Sequence, residues 1–335
     1  MRAMLAVLAL ASAGVAAQPA GSPVPVTADN FNRAESDLNF AGIVNAGGFG
    51  RFTQRRELVP IEKQRIVRPN RDTLYSLAVF DLDAGPVTVA MPDPGRRYMS
   101  MQVTDEDQYT SAVWYGAGSH TLTRNAVGTR YVSVTVRTLV DPADPKDMGA
   151  AHTLQDALKV EQASPGKFEI PAWDTESEKK VRDALLALAR TVPDTKRMFG
   201  PRDGVDPVRH LIGTALLWGG TPEQDAIYLN VTPEKNDGTT IHPLRVKDVP
   251  VDGFWSITVY NADGFLVANR FNAYALNDIT ARKGDDGSVA VQFGGCDGAD
   301  PNCLPIMPGW NYTVRLFRPR AEIRSGTWRF PEAQR

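Results

Sequence analysis

The sequence predicts a mainly β protein, built as two β units with a helical segment between them. Three observations carry this. In the C-terminal part, Trp255, Ile257 and Val259 fall on one strand face and Ser256, Thr258 and Tyr260 on the other, and the same period of two returns in Val289, Val291 and Phe293 and in Tyr312, Val314 and Leu316. In the N-terminal half, Val132, Val134 and Val136 alternate in the same way. Between the two, the apolar spacing changes to three and four residues, the helical period.

Along the chain, Arg2 precedes a short apolar run, and Val15-Ala16-Ala17 supplies small residues at a cleavage position. Residues 1–17 therefore read as a signal peptide cut between Ala17 and Gln18, too short to span a bilayer, and the mature protein is expected to be periplasmic or secreted. No later run reaches membrane-spanning length, so no membrane span is expected. A Pro/Gly/Ser-rich arm follows to Val26. Thr27 is expected to cap a helix with Phe31, Ala34, Leu38 and Ala41 inward, ended by Gly47-Gly48.

Arg51, Arg55, Arg56, Lys63, Arg65, Arg68 and Arg71 make a locally basic run, either a solvated strand face or an anion-binding surface. Three strands then end at Phe80, Met91 and Val103, punctuated by Pro86, Pro92 and Pro94. A short helix is expected over His152–Val160. Thr175-Glu176-Ser177-Glu178 reads as a capping box opening a helix with Val181, Leu185 and Leu188 inward. Asp206-Pro207 opens another, striped by Val208, Leu211, Ile212 and Ala215 and stopped at Gly219-Gly220. His210 beside that stripe reads as a satisfied histidine in preference to a ligand. Strand character resumes over Ala226–Val231, and Asp263-Gly264 suggests a hairpin into Phe265-Leu266-Val267.

Formal net charge is −2, from 37 Lys+Arg and 39 Asp+Glu, which leaves no basic footprint for nucleic-acid binding. Cys296 and Cys303 are the only cysteines, and they share a Gly/Pro/Asp loop. A disulfide is the favoured reading over a metal or redox pair, because CxxC spacing is absent and the four histidines are scattered. No GxSxG, HExxH, P-loop or Rossmann fingerprint occurs, zinc ligands are not clustered, and the sequence names no cofactor and no metal. Asp297-Gly298-Ala299-Asp300 is half a calcium loop without its remaining ligands. Trp255, Tyr260, Trp310, Tyr312 and Trp328 are either sandwich core or stacking platforms for sugar rings, with core favoured.

Two sets of motifs resemble a known family. Asn70-Arg71-Asp72-Thr73-Leu74-Tyr75-Ser76, Met91-Pro92-Asp93, Arg97-Tyr98 and Asp105 to Tyr109 are similar to the N-terminal part of DUF1254/DUF1214 proteins. Pro250-Val251-Asp252-Gly253-Phe254-Trp255-Ser256, Gly309-Trp310-Asn311-Tyr312 and Gly326-Thr327-Trp328 are similar to the C-terminal part. The resemblance implies an Ig-like β-sandwich over 51–171 and a jelly-roll-like β-domain over 226–331. An arm and helix over 18–50 precede them, and the helical segment over 172–225 separates them. It implies no established reaction.

Chemistry is therefore sought among the carboxylates. Asp105 and Asp107 share one face of an extended chain, and Asp72 sits in the other conspicuous polar turn. Asp72, Asp105 and Asp107 are the candidate catalytic residues, with Arg71, Tyr75 and Tyr109 as substrate-binding partners around one cavity between the β units. The alternative is that each Asp caps its own turn. At the level of function, the readings are an exported protein acting on a small polar or carbohydrate-like molecule, or a non-catalytic periplasmic binding or structural module.

Overall fold

A computed structural model describes residues 22–64 and 66–334. The expected signal segment, its cleavage point and Arg65 lie outside the described residues. The N-terminal unit holds β1 (Thr53–Arg55), β2 (Thr73–Asp81), β3 (Val87–Met91), β4 (Met99–Asp105), β5 (Thr110–Tyr115), β6 (Gly118–Leu122), β7 (Tyr131–Leu139) and β8 (Lys159–Glu161). The C-terminal unit holds β9 (Ala226–Val231), β10 (His242–Val246), β11 (Trp255–Tyr260), β12 (Ala275–Asn277), β13 (Val289–Phe293), β14 (Cys303–Leu304) and β15 (Asn311–Phe317). The helices are α1 (Phe31–Asn45), α2 (Arg124–Val127), α3 (Pro145–Asp156), α4 (Thr175–Ala189), α5 (Pro207–Leu216) and α6 (Ala321–Arg324). The protein is mainly β, as its alternation predicts.

Each β unit is a pair of sheets. In the first, β1-β2-β7-β4-β5 faces β6-β3-β8, and Ala78, Phe80, Val89, Met101, Val132, Val134 and Val136 fill the space between. In the second, β12-β11-β15-β9 faces β10-β13-β14 over Ile257, Val259, Val291, Phe293, Trp310 and Val314. Each burial of a Val, Ile or Phe side chain contributes about 1.5–3 kcal/mol, so these interiors dominate stability. Trp255, Tyr260, Trp310 and Tyr312 are all buried and Trp328 packs against the same interior. Four of these five aromatics are therefore core, and Trp328 is half-buried against it. Cys296 and Cys303 are disulfide-bonded, with Cα atoms 5.6 Å apart.

The helical layer docks on the N-terminal sheet. Phe31 and Ala34 of α1 meet Leu185, Ile212 and Ala215 from α4 and α5, while Phe40 and Ile43 meet Val79 and Tyr131 on the sheet. Several local expectations are corrected. Asn30, not Thr27, precedes α1, and it makes no side-chain cap bond. Asp174 caps α4 by accepting from the Glu176 N–H, one residue before the expected Thr175, because a carboxylate is the better partner for the positive helix end. The helix expected at His152 begins earlier, at Pro145 behind the Asp144 cap, and Val160 lies in β8. Leu188 and Val208 point to solvent. Phe265–Val267 forms no strand: side-chain oxygens of Asn261 and Gln64 take the Phe265 and Leu266 N–H groups at 2.9 and 2.8 Å.

That last contact belongs to a strap. Residues 57–64 and 66–71 leave the N-terminal unit and lie across the C-terminal one. Gln64 Nε2 donates to the Leu266 carbonyl at 2.9 Å, Arg68 N–H donates to the Gly264 carbonyl at 2.8 Å, and Ile61 packs with Tyr260, Leu266 and Tyr274. Gly264 has φ +83, and a Cβ there would meet Val67 Cγ1 at 2.6 Å, so only glycine lets the strap close.

Candidate functional site

In a two-sheet unit the outward strand face normally meets water. Here both outward faces turn toward each other. On β7 the residues opposite the Val132–Val136 face are Ser133, Thr135 and Arg137. Across the sheet Tyr75 pairs with Arg137 and Arg137 with Ser100, while Thr135 pairs with Gln102. In the C-terminal unit, Asn277 pairs with Ser256 and Ser256 with Arg315, which pairs with Tyr228. Thr258 pairs with Thr313 in the next rank. Ser100, Gln102, Arg137, Ser256, Thr258, Thr313 and Arg315 are all buried. An apolar seam of Tyr98, Leu139, Ala226, Phe254 and Phe317 closes one side of this polar interior.

The strap delivers Arg68 to Asp72 into it. Arg315 donates to Thr258 Oγ1 at 2.9 Å, to the Arg68 carbonyl at 2.9 Å and to Tyr260 Oη at 2.7 Å. Tyr260 in turn donates to the Pro69 carbonyl at 2.9 Å. Arg68 donates to Asn311 Oδ1 at 2.6 Å and Thr313 Oγ1 at 3.1 Å. Arg137 donates to Gln102 Oε1 at 2.8 Å and to the Gly219 carbonyl at 3.3 Å, so the loop after α5 closes over it. Arg71 donates to the Val59 carbonyl at 3.0 Å and sits 5.1 Å from the Tyr274 ring centre.

All these hydrogen bonds go to neutral oxygens. Among the described residues none of Arg68, Arg71, Arg137 and Arg315 stands at ion-pair distance from a carboxylate, although surface arginines such as Arg33, Arg130 and Arg320 do. Asp72 is the carboxylate set among them. It is fully buried, and burial pushes its pKa up by more than Arg315, Ser256, Asn277 and Arg71 pull it down. Its Oδ1 accepts from Asn277 Nδ2 at 3.1 Å, its Oδ2 has no partner, and the Ser256 hydroxyl lies beside it outside hydrogen-bond geometry. Buried orphan oxygens cost about 1–3 kcal/mol each unless something fills the site.

Tyr75 and Tyr228 both lie within electrostatic reach of Arg137 and Arg315. Burial raises the Tyr75 phenol, but Arg137, the Asn70 and Thr73 side chains and Arg315 outweigh it and hold its pKa below the usual value. Tyr75, Tyr228, Asn70 and Arg68 keep partial exposure, and neighbouring Asn230 is exposed, so the polar interior reaches solvent on that side. Two open surface clefts, of about 480 Å³ beside Gly47–Arg51 and about 420 Å³ beside Arg282–Ser288, lie elsewhere.

The expected single cavity of six residues is corrected. Arg71, Asp72 and Tyr75 line the polar interior, but Asp105, Asp107 and Tyr109 do not. Thr73 pairs with Leu139 and Asp105 with Val132, at opposite ends of β7. At ~3.3 Å per residue the two sets stand about 23 Å apart. Asp105 Oδ1 accepts from the backbone N–H groups of Asp107 and Tyr109 at 2.9 and 2.8 Å, so it builds its own turn. Asp107 pairs with Arg33 at 2.8 Å and Arg202 at 3.2 Å. The Tyr109 ring is stacked on His210 at 4.3 Å, with Arg202 4.2 Å from its centre. The His210 ring nitrogens sit against the Met198 and Asp107 carbonyls at 2.8 and 2.9 Å, a structural role.

Sequence reasoning missed Arg137 and Arg315. Their signal is present: each is a lone arginine inside a Val/Thr/Leu strand pattern, on the face shared with Thr and Ser. The basic run divides, with Arg51 and Arg55 solvated and Arg68 and Arg71 turned inward.

The sequence matches the family model "Protein of unknown function (DUF1254)" over residues 49–126 and "Protein of unknown function (DUF1214)" over residues 226–321. The chain belongs to the DUF1254/DUF1214 family. The first match contains β2 and β4 but ends before β7 and its Arg137, and the second contains β9, β11, β12 and β15. A crystal structure of the VPA0106 protein from Vibrio parahaemolyticus shares the fold, with TM-score 0.70 and 19% identity over 92% of this chain and 97% of that one. A putative uncharacterized protein from Burkholderia cenocepacia is similar at TM-score 0.49 and 15% identity, over 87% of this chain and 83% of that one. A search of curated proteins finds no match.

Proposed function

We propose that this DUF1254/DUF1214 protein is exported and binds, between its two β units, a small polar molecule bearing an anionic group. One observation carries the reading: buried Arg137 and Arg315, one from each unit, have only neutral hydrogen-bond partners. A buried guanidinium with no carboxylate at ion-pair distance is costly, and an anion with two oxygens matches its planar donor fork. The orphan Ser256 hydroxyl would meet a hydroxyl or water group of the same ligand. Convergence of ionisable groups favours chemistry over a passive module, and the buried aromatics argue against recognition on an open aromatic face. The disulfide supports export, since such bonds persist in oxidising compartments.

The test is calorimetry and native mass spectrometry with a panel of phosphate, sulfate and small mono- and dicarboxylates. At least one should bind wild-type protein, weaken with added salt, and bind tenfold or more weakly to Arg137→Gln and Arg315→Gln. Equal binding to wild type and both variants would remove the reading.

A further inference from the structure

We infer that Tyr75 is the proton-transfer residue of this site, accepting a proton as phenolate from the molecule that Arg137 and Arg315 hold. The inference rests on the anion-binding reading for its substrate class, and on separate geometry for the tyrosine. The Asn70 side chain decides the matter. Its Oδ1 accepts from the Asp72 backbone N–H at 2.7 Å, which fixes the amide so that Nδ2 points the other way. That nitrogen then donates to Tyr75 Oη at 3.1 Å and to Thr73 Oγ1 at 2.9 Å. An amide nitrogen is a donor only, so Tyr75 Oη is the acceptor of this bond, and a donor aimed at the phenol oxygen favours its ionised form.

Arg137 lies directly across the strand pair, with its guanidinium carbon 5.7 Å from the Tyr75 ring centre. Thr73 Oγ1, which accepts from the same Asn70 nitrogen, and the Arg137 guanidinium also act on the phenol oxygen. Arg137, Asn70, Thr73 and Arg315 together hold its pKa below the ordinary value in spite of burial. The environments of Tyr98 and Tyr312 do the opposite, pushing both up to about 12.

In the step itself an O–H bond forms at Tyr75 Oη as an X–H bond beside the anionic group breaks. The electron pair stays on the substrate, where the two guanidinia stabilise the added negative charge, and the reverse transfer returns the proton. No oxidant or reductant is needed.

Ultraviolet difference titration of the full chain, reading tyrosinate absorbance, tests the phenol directly. Wild type should show one tyrosine ionising below the ordinary value of about 10. Tyr75→Phe should lose that step, and Asn70→Ala, which keeps the phenol, should move it upward. Superimposable curves for wild type and Tyr75→Phe overturn the inference. The transfer is read by NMR in D₂O, as deuterium uptake at the carbon beside the carboxylate of the tightest-binding carboxylate of the panel. Uptake should fall at least a hundredfold in Tyr75→Phe while the anion still binds, and uptake at the wild-type rate overturns the inference. Failure of every anion to bind wild type counts against the anion reading alone, and the titration then decides the case of Tyr75.

Discussion

The two ends of β7 hold similar inventories and opposite logic. At the Val132 end, Asp105, Glu106 and Asp107 sit among Arg33, Arg202 and backbone N–H groups, and nearly every charge has a partner. At the Leu139 end, Arg68, Arg71, Arg137 and Arg315 surround Asp72, and the guanidinia bond only to neutral oxygens. The first end is a self-satisfied joint between helices and sheet. The second leaves charge over, and the proposed anion site rests on that surplus. Residue type alone does not distinguish them, since both combine Asp, Arg and Tyr.

The largest effect that would break this comparison is at the satisfied end. Asp105→Ala strips the acceptor from two backbone donors in a buried turn and should cost about 2–4 kcal/mol. Urea denaturation measures this. Anion binding 23 Å away, by the same ~3.3 Å rise, should be unchanged, and a parallel loss of binding would join the two ends into one site.

Reducing Cys296–Cys303, remote from both ends, should cost about 2–3 kcal/mol by loop closure. Thermal melts with and without reductant test it. Anion affinity in the reduced, still folded protein should match that of the oxidised protein.

A smaller effect concerns pH. Burial pushes Asp105 and Asp37 up to about 7 each. Asp37 accepts from Trp173 Nε1 at 2.9 Å through one oxygen, and its other oxygen has no partner. A carboxyl whose folded pKa exceeds its unfolded value of about 3.9 binds its proton better when folded. Its contribution is therefore fully present below pH 4 and is lost as pH rises through 7. Asp105→Asn keeps an amide oxygen for the turn donors and does not ionise. Relative to wild type it should gain about 1–2 kcal/mol between pH 5 and pH 8. A parallel pH profile for the two proteins would contradict the assignment.

The smallest effect on stability, and the sharpest on function, is at the other end. Asp72→Asn keeps the Asn277 contact geometry, changes stability by less than about 1 kcal/mol, and removes the carboxylate from the arginine cluster. Anion affinity should rise about tenfold, equivalent to ~1.4 kcal/mol, by calorimetry. Weaker binding would instead make Asp72 a direct ligand contact.

Much of the architecture is legible in the chain itself. The period of two in Val132–Val136, Ile257–Val259 and Tyr312–Leu316 locates strands and their core faces, because side chains on a pleated strand must alternate and apolar ones must leave water. Asp206-Pro207 starts α5, and Cys296 and Cys303 pair within their loop, because caps and short-loop disulfides are local events. What the alternation does not contain is the destination of the polar face. Ser256, Thr258 and Arg315 read the same whether they meet water or a second polar sheet. Only the tertiary packing of one unit on the other, with the strap across them, buries that face and makes its unpaired guanidinia costly. The same packing separates Asp72 from Asp105, because their distance depends on which ends of β7 their strands join, and strand order is set by contacts between residues far apart in sequence.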